Sequence, residues 1–303
     1  MPSTTPALPD LPDLSQLRAA LAMHRYARDA VHVAHADLRG YDWLVASSKG
    51  VFAVNNDGFA TVLFGWYFGI CRHGDWLYLF ENCGHRLRER PRGRLVRLTL
   101  RDGRLSDPVV IARGLDCHCH QIAVIDGLLH VVDTGNQAIL RYDLGGRPVD
   151  VLHPFDAAPY HHINAIAQID GRIGVMLHNG RHEPPMTSQI VWFDPDWRPI
   201  ERQTLPDTGC HDIVADDHGR LWYAASMSGE LVASDGQRIP ISSELMTRGI
   251  AFGPQRVIVG LSIFGPRERR DALRGMVALC DRQFQRIANI ELPGAPAVII
   301  SLR

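Results

Sequence analysis

Histidine is the residue whose type and spacing promise chemistry in this chain. The stretch Asp116-Cys-His-Cys-His-Gln-Ile-Ala-Val124 carries His118 and His120 two residues apart. In an extended strand those imidazoles share one face, and Cys117 and Cys119 take the other. The pattern returns as Tyr160-His-His-Ile-Asn-Ala165 and Gly209-Cys-His-Asp-Ile213. Imidazoles brought from several strands to one axis are ligands for a transition metal. Three of them leave an open coordination position, as catalytic sites do. The expected ligands are His162, His211 and one of His118 or His120, the remaining one serving as a fourth ligand or a base. They would hold one ion, Zn or Fe ahead of Cu or Ni. The plainer alternative is a polar channel whose histidines are satisfied by water and backbone. His161 is expected to face away into the packing, as are the small hydrophobes Cys117, Cys119 and Cys210.

The elements that position these residues read as short β-rich runs separated by Gly, Asp and Asn turns, from about residue 41 onward. A self-similar unit recurs about every 40–50 residues, the period of a four-stranded propeller blade. Its strongest copy runs from His120 to Leu144, with relatives starting near Phe68, Asn164, His211 and Arg248. Six blades are expected, with five or seven left open. The blade holding Asp42–Ser48, Gly50–Asn55 and Ala60–Gly65 lacks a first strand, and the orphan run Ala297–Leu302 is expected to supply it. Residues 1–13 read as a mobile tail, rich in Pro, Ser and Thr. Residues 14–31 read as one amphipathic helix, with Leu14, Leu17, Leu21 and Tyr26 near one stripe that packs on the main domain. The division is therefore 1–40 for tail and helix and 41–303 for an all-β propeller.

The copy at 120–144, with its Val-Asp-Thr-Gly-Asn step and Tyr-Asp ending, resembles an NHL repeat. Asp216-Asp-His-Gly-Arg-Leu-Trp222 resembles blades of the gluconolactonase and senescence-marker propellers. The resemblance covers about residues 65–260 and implies a six-bladed propeller. Thr247–Phe252 and Val259–Arg267 also resemble an uncharacterised bacterial propeller family. The gluconolactonase-type propellers bind their ion through acid and amide side chains, whereas this ring is rich in imidazole. In ligand type and blade position it is more similar to the amidating lyase, with three-histidine zinc, and to the carotenoid-cleaving oxygenases, with four-histidine iron.

Composition sets the outer bounds. The 303 residues are 46% hydrophobic and 21% charged, with a net charge of −1, so no global attraction to nucleic acid or membrane is expected. No signal-peptide pattern and no apolar run of about 18 residues is read, so a cytoplasmic location with six reduced cysteines is expected. Phosphate-loop, nucleophile-elbow and His-Glu-x-x-His motifs do not occur.

In a blade of order a to d, the start of strand a and the b–c hairpin lie at one end. Aligning the repeats puts Phe68, His120, Asn164, His211 and Arg248 in one layer. His118 and His162 fall in another, roughly 7 Å along the strand. Long b–c hairpins at 82–93, 178–188 and 265–275 gather at the same mouth and carry Arg86, Arg88, Arg90, Arg92, Arg181, Arg267, Arg269 and Arg270. The expectation is a metal-dependent lyase or hydrolase for a small anionic molecule. Arg248 would clamp the anion, Asn164 would orient it, and Tyr160 or a spare histidine would move a proton. His178, His182, Arg88 and Arg269 would complete the substrate-binding set. The alternatives are a non-haem iron oxygenase using the same ring, and a non-catalytic propeller docking a peptide or protein on its top face.

Overall fold

Short runs of branched and aromatic residues between tight turns build six four-stranded antiparallel sheets. The computed structural model describes residues 14–84, 91–156, 158–180, 182, 184, 186–265, 270 and 272–303, without the side chains of 14 and 15. The tail at 1–13 and the hairpin residues Arg86, Arg88, Arg90, Arg181, Arg267 and Arg269 lie outside these.

The six sheets are the blades of a propeller. Their inner strands, in ring order, are Pro296–Ser301, Tyr67–His73, Cys119–Ile125, Ile163–Ile169, His211–Ala215 and Leu245–Phe252. The first blade is completed by the C-terminal strand, which pairs antiparallel with Trp43–Ser47 through Trp43 opposite Ser301 and Val45 opposite Ile299. That pairing closes the ring and covers two sheet edges at once. Two of the a–b hairpins turn on Asp126-Gly127 and Asp170-Gly171. All four residues have positive φ, at 49°, 75°, 50° and 73°. Two-residue turns of this hand match the twist of the strands they join, and Asp-Gly is the pair that tolerates it.

The apolar core lies between neighbouring blades. Ala165, Met176, Ile190 and Trp192 of blade 4 meet Ile213, Leu221 and Tyr223 of blade 5, all buried. Each inner strand also carries a one-residue bulge near its start. The register shifts between Tyr67 and Gly69, Cys119 and Ile122, Ile163 and Ala165, His211 and Val214, and Thr247 and Ile250. In blade 1 it shifts opposite Ala46 and Ser47, which leaves Ala297 unpaired. A bulge breaks the strict alternation of side chains and re-aims those around it. Here six bulges fall in one layer around the axis.

The N-terminal helix, α1, spans Leu14–Arg28. No described helix is long and apolar enough to cross a membrane. Its attachment differs from the sequence expectation. Leu17 and Leu21 are 47% and 50% exposed, while Ala22 is buried. Ion pairs and backbone bonds hold the helix instead. Arg25 reaches Glu81 at 3.1 Å, and Glu81 is fully buried against Arg94 at 2.6 Å. Arg94 in turn donates to the carbonyls of Arg25 and Ala30 at 3.0 and 2.8 Å. A buried carboxylate shared by two guanidiniums anchors the helix more specifically than an apolar stripe would, because losing either partner strands a charge.

Candidate functional site at the channel mouth

The bulged layer supplies the site. Phe68, His120, Asn164, His211 and Arg248 surround one small chamber on the axis, with Gln121, Asp212, Ala297 and Val298. The five residues aligned from the repeats thus come from five different blades to one place. Above them the aromatic rings form an arc. Ring centroids are 5.3 Å apart for Phe68 and His120, 5.4 Å for His120 and His162, 4.8 Å for His162 and His178, and 5.0 Å for His178 and His211. Tyr160 stands edge-on to His162 at 5.9 Å, its hydroxyl 3.4 Å from Nδ1.

Two of the imidazoles are held in the same way. His120 Nδ1 lies 2.7 Å from the His118 carbonyl and 2.7 Å from Thr134 Oγ1, and that hydroxyl donates to the Ile163 carbonyl at 2.6 Å. His211 Nδ1 lies 3.0 Å from the Gly209 carbonyl and 2.8 Å from Ser226 Oγ, which donates to the Thr247 carbonyl at 2.7 Å. A carbonyl only accepts, so Nδ1 carries the proton in both rings. Nε2 of each neutral ring therefore carries the lone pair.

His178 is opposite. The backbone N–H of Gly180 donates to its Nδ1 at 3.1 Å, so the ring's proton sits on Nε2. His178 occupies the end of strand b, where blades 3 and 5 carry the hydroxyls Thr134 and Ser226. The ring is wedged between two glycines. A Cβ on Gly180 would come within 2.7 Å of its Cε1, and one on Gly209 within 3.3 Å of its Nε2.

The electrostatics of the arc follow from burial. His211 is held well below the ordinary imidazole value, first by desolvation and then by Arg248, His178, His162 and Arg270. Asp212 is buried in a left-handed conformation, φ 59°, and accepts the Gly249 N–H at 2.6 Å. Desolvation pushes its carboxyl up to about 6, against the pull of that hydrogen bond and of Arg248. Asp212 is the one carboxylate among the described residues lining the chamber, and sequence reasoning passed over it. Its signal was the His-Asp-Ile step at the bulge, where the other blades place Gln121, Ala165 or Gly249.

The other histidines divide between the arc and its surroundings. His118 lies in a turn before its strand rather than in extended backbone, so alternation with His120 does not apply. Its Nδ1 is 2.9 Å from Asp116 Oδ1, and its side chain is one-third exposed. His161 turns away from the arc, as expected, its Nδ1 3.1 Å from Asn179 Oδ1, and the His182 ring lies tilted to it at 6.2 Å. His162 enters the arc through a left-handed backbone, φ 53°. Among the described residues, no group of three or more His, Cys, Asp or Glu is arranged to hold a metal ion. The imidazoles run in sequence along an arc rather than around one point.

No protein-family model matches the chain. No curated protein matches it either. Solved structures do resemble it. A chain of the nidogen/laminin complex superposes with a TM-score of 0.65 at 11% identity, covering 87% of this chain and 99% of that one. A protein of unknown function from Bacteroides caccae gives 0.55 at 14% identity over 87% and 99%. A candidate 6-phosphogluconolactonase from Bacteroides uniformis gives 0.52 at 12% over 86% and 99%. Likeness at these identities establishes the β-propeller fold, and the chemistry rests on the site itself.

Proposed function

We propose that the protein is an enzyme of lyase or hydrolase type acting on a small anionic molecule at the channel mouth. The observation that carries this reading is a pair of neighbouring imidazoles held as opposite tautomers. His178 presents Nε2–H and His211 presents an Nε2 lone pair, with ring centroids 5.0 Å apart. One ring donates a proton where the other accepts one, without either being charged beforehand. Arg248, buried on the chamber wall, and Arg270 supply positive charge. A guanidinium there suits a carboxylate or phosphate.

A metal-dependent form is the second reading, and one observation favours it. Nδ1–H of His120 and of His211 is held by a carbonyl and a hydroxyl, as second partners hold metal-ligating histidines. The donors suit Zn or Fe, but their placement does not bring three together. In the metal-free reading the acid–base steps pass through the imidazoles alone.

The test is an assay of the purified protein against 4-nitrophenyl phosphate, 4-nitrophenyl sulfate, mono-4-nitrophenyl succinate and O-phosphoserine. Turnover that falls by about 10²–10⁴ in both His178→Gln and His211→Gln supports the reading. Turnover unchanged in both variants, or none by the native protein, refutes it. Elemental analysis of protein prepared without chelators separates the two forms: about one transition-metal ion per chain selects the metal-dependent one.

A further inference from the structure

The chamber beneath the arc has a composition of its own. It offers about 10 Å3, the room one water molecule needs. Asn164 lines it and is 95% buried, being only 5% exposed. Its Nδ2 donates to the Cys210 carbonyl at 2.9 Å, which fixes the amide's orientation. Oδ1 consequently lies on the other side, and it has no hydrogen-bond partner. A buried amide oxygen left so costs about 1–3 kcal/mol. His120, His211 and Asp212 line the same chamber, and the Nδ1–H assignments leave each imidazole with an acceptor nitrogen at Nε2. Gln121 turns its Oε1 to the Ile166 N–H at 2.7 Å, which leaves its amide N–H groups as donors. Arg248 is the other donor.

We propose that this chamber is the binding seat of a single water molecule, held by Asn164 Oδ1, and that this water is the nucleophile of the reaction. The inference rests on the enzymic reading above and selects hydrolysis over elimination. A water can donate one hydrogen to Asn164 and the other to His211 Nε2, while a donor on the wall engages its oxygen. In the reaction its O–H proton passes to His211 Nε2. Its oxygen bonds to the electrophilic carbon or phosphorus of the anionic ester. The ester bond breaks, and the departing oxygen takes the proton from His178 Nε2. His211 then returns a proton to solvent and His178 regains one, which restores both rings. Asn164 positions the water and moves no proton itself.

A high-resolution crystal structure of the full chain tests the seat, with Asn164→Leu alongside. The expected result is one ordered solvent peak at hydrogen-bond distance from Asn164 Oδ1 in the native protein. It should be absent from Asn164→Leu while the arc stays in place. Water relaxation in solution should likewise lose one long-lived molecule in the variant. A dry chamber, or a peak that survives in Asn164→Leu, overturns the seat. Should Asn164→Leu fail to fold, the native structure alone decides. The role is tested by running the four-compound assay in 18O-labelled water. One labelled oxygen per ester cleaved supports it, and an unlabelled product overturns it. The failures are separable, because inert His178 and His211 positions remove the enzymic reading whether or not the chamber is wet.

Discussion

Blades 3 and 5 treat their inner histidine identically, and blade 4 between them does not. In the outer pair an imidazole at the bulge gives Nδ1–H to the carbonyl two residues back and to a hydroxyl at the end of strand b. That hydroxyl then ties itself to the inner strand of the next blade. In blade 4 the bulge residue is Asn164 and the strand-b position is His178. The histidine has moved out by one strand, and its tautomer has reversed. A repeat thus builds an asymmetric site: two copies supply acceptors, and the altered copy supplies the donor and the fixed amide. The arrangement sets a proton acceptor beside a proton donor, which is what the proposed acid–base reading uses.

Changes that make blade 4 like its neighbours should break this comparison most severely. His178→Ser installs the hydroxyl of blades 3 and 5. It should cost about 10²–10⁴ in turnover of whichever ester the assay identifies, while thermal unfolding shows the propeller intact. Turnover within a factor of two of native would show that His178 is only wall.

Asp212 belongs to the next tier. Its carboxyl is raised from the ordinary 3.8 to about 6, so the folded state favours the protonated form. The penalty is absent below about pH 4, grows as pH rises, and is complete above about 6. Asp212→Asn can keep the acceptor for Gly249 N–H and should gain up to about 3 kcal/mol at pH 7. That gain should vanish below pH 4 in denaturant titrations. His211 runs the other way. Its folded-state value is depressed, so its contribution is intact above about 6.5 and is lost as pH falls. His211→Gln should therefore unfold less readily in acid relative to native.

Removing the anchors is a smaller step. Ser226→Ala and Thr134→Val each remove one of the two acceptors of an Nδ1–H and strand a carbonyl, at about 1–3 kcal/mol apiece. The two losses should be similar, and a large difference between them would show that the two blades are not equivalent. The smallest change is His118→Asn. Its partner Asp116 is also one-third exposed, so the loss should stay within about 1 kcal/mol with turnover unchanged.

Much of this architecture was legible in the sequence. Period, turns and the orphan run at 297–302 point to six blades, with five or seven left open, because alternation and unpaired edges are properties of the chain. The inner layer was legible too, as the Ile-Ala and Ile-Val steps align Phe68, His120, Asn164, His211 and Arg248. The rest depends on backbone that alternation cannot describe. His118 and His162 were assigned one layer on the assumption of extended backbone. The first sits in a turn on Asp116, and the second reaches the arc through a left-handed residue. His178, read as a loop residue for substrate, enters the arc because Gly180 and Gly209 leave room for its ring. Tautomers follow from hydrogen-bond partners that only the packed blades bring together.

The most direct measurement is nitrogen-15 imidazole spectroscopy of His178 and His211 in the native protein, assigned with His178→Gln and His211→Gln. The account predicts a proton on Nε2 of His178 and on Nδ1 of His211, with His211 still neutral as pH is lowered through 6. The same tautomer in both rings, or a His211 that charges with an ordinary midpoint near 6.5, would contradict it.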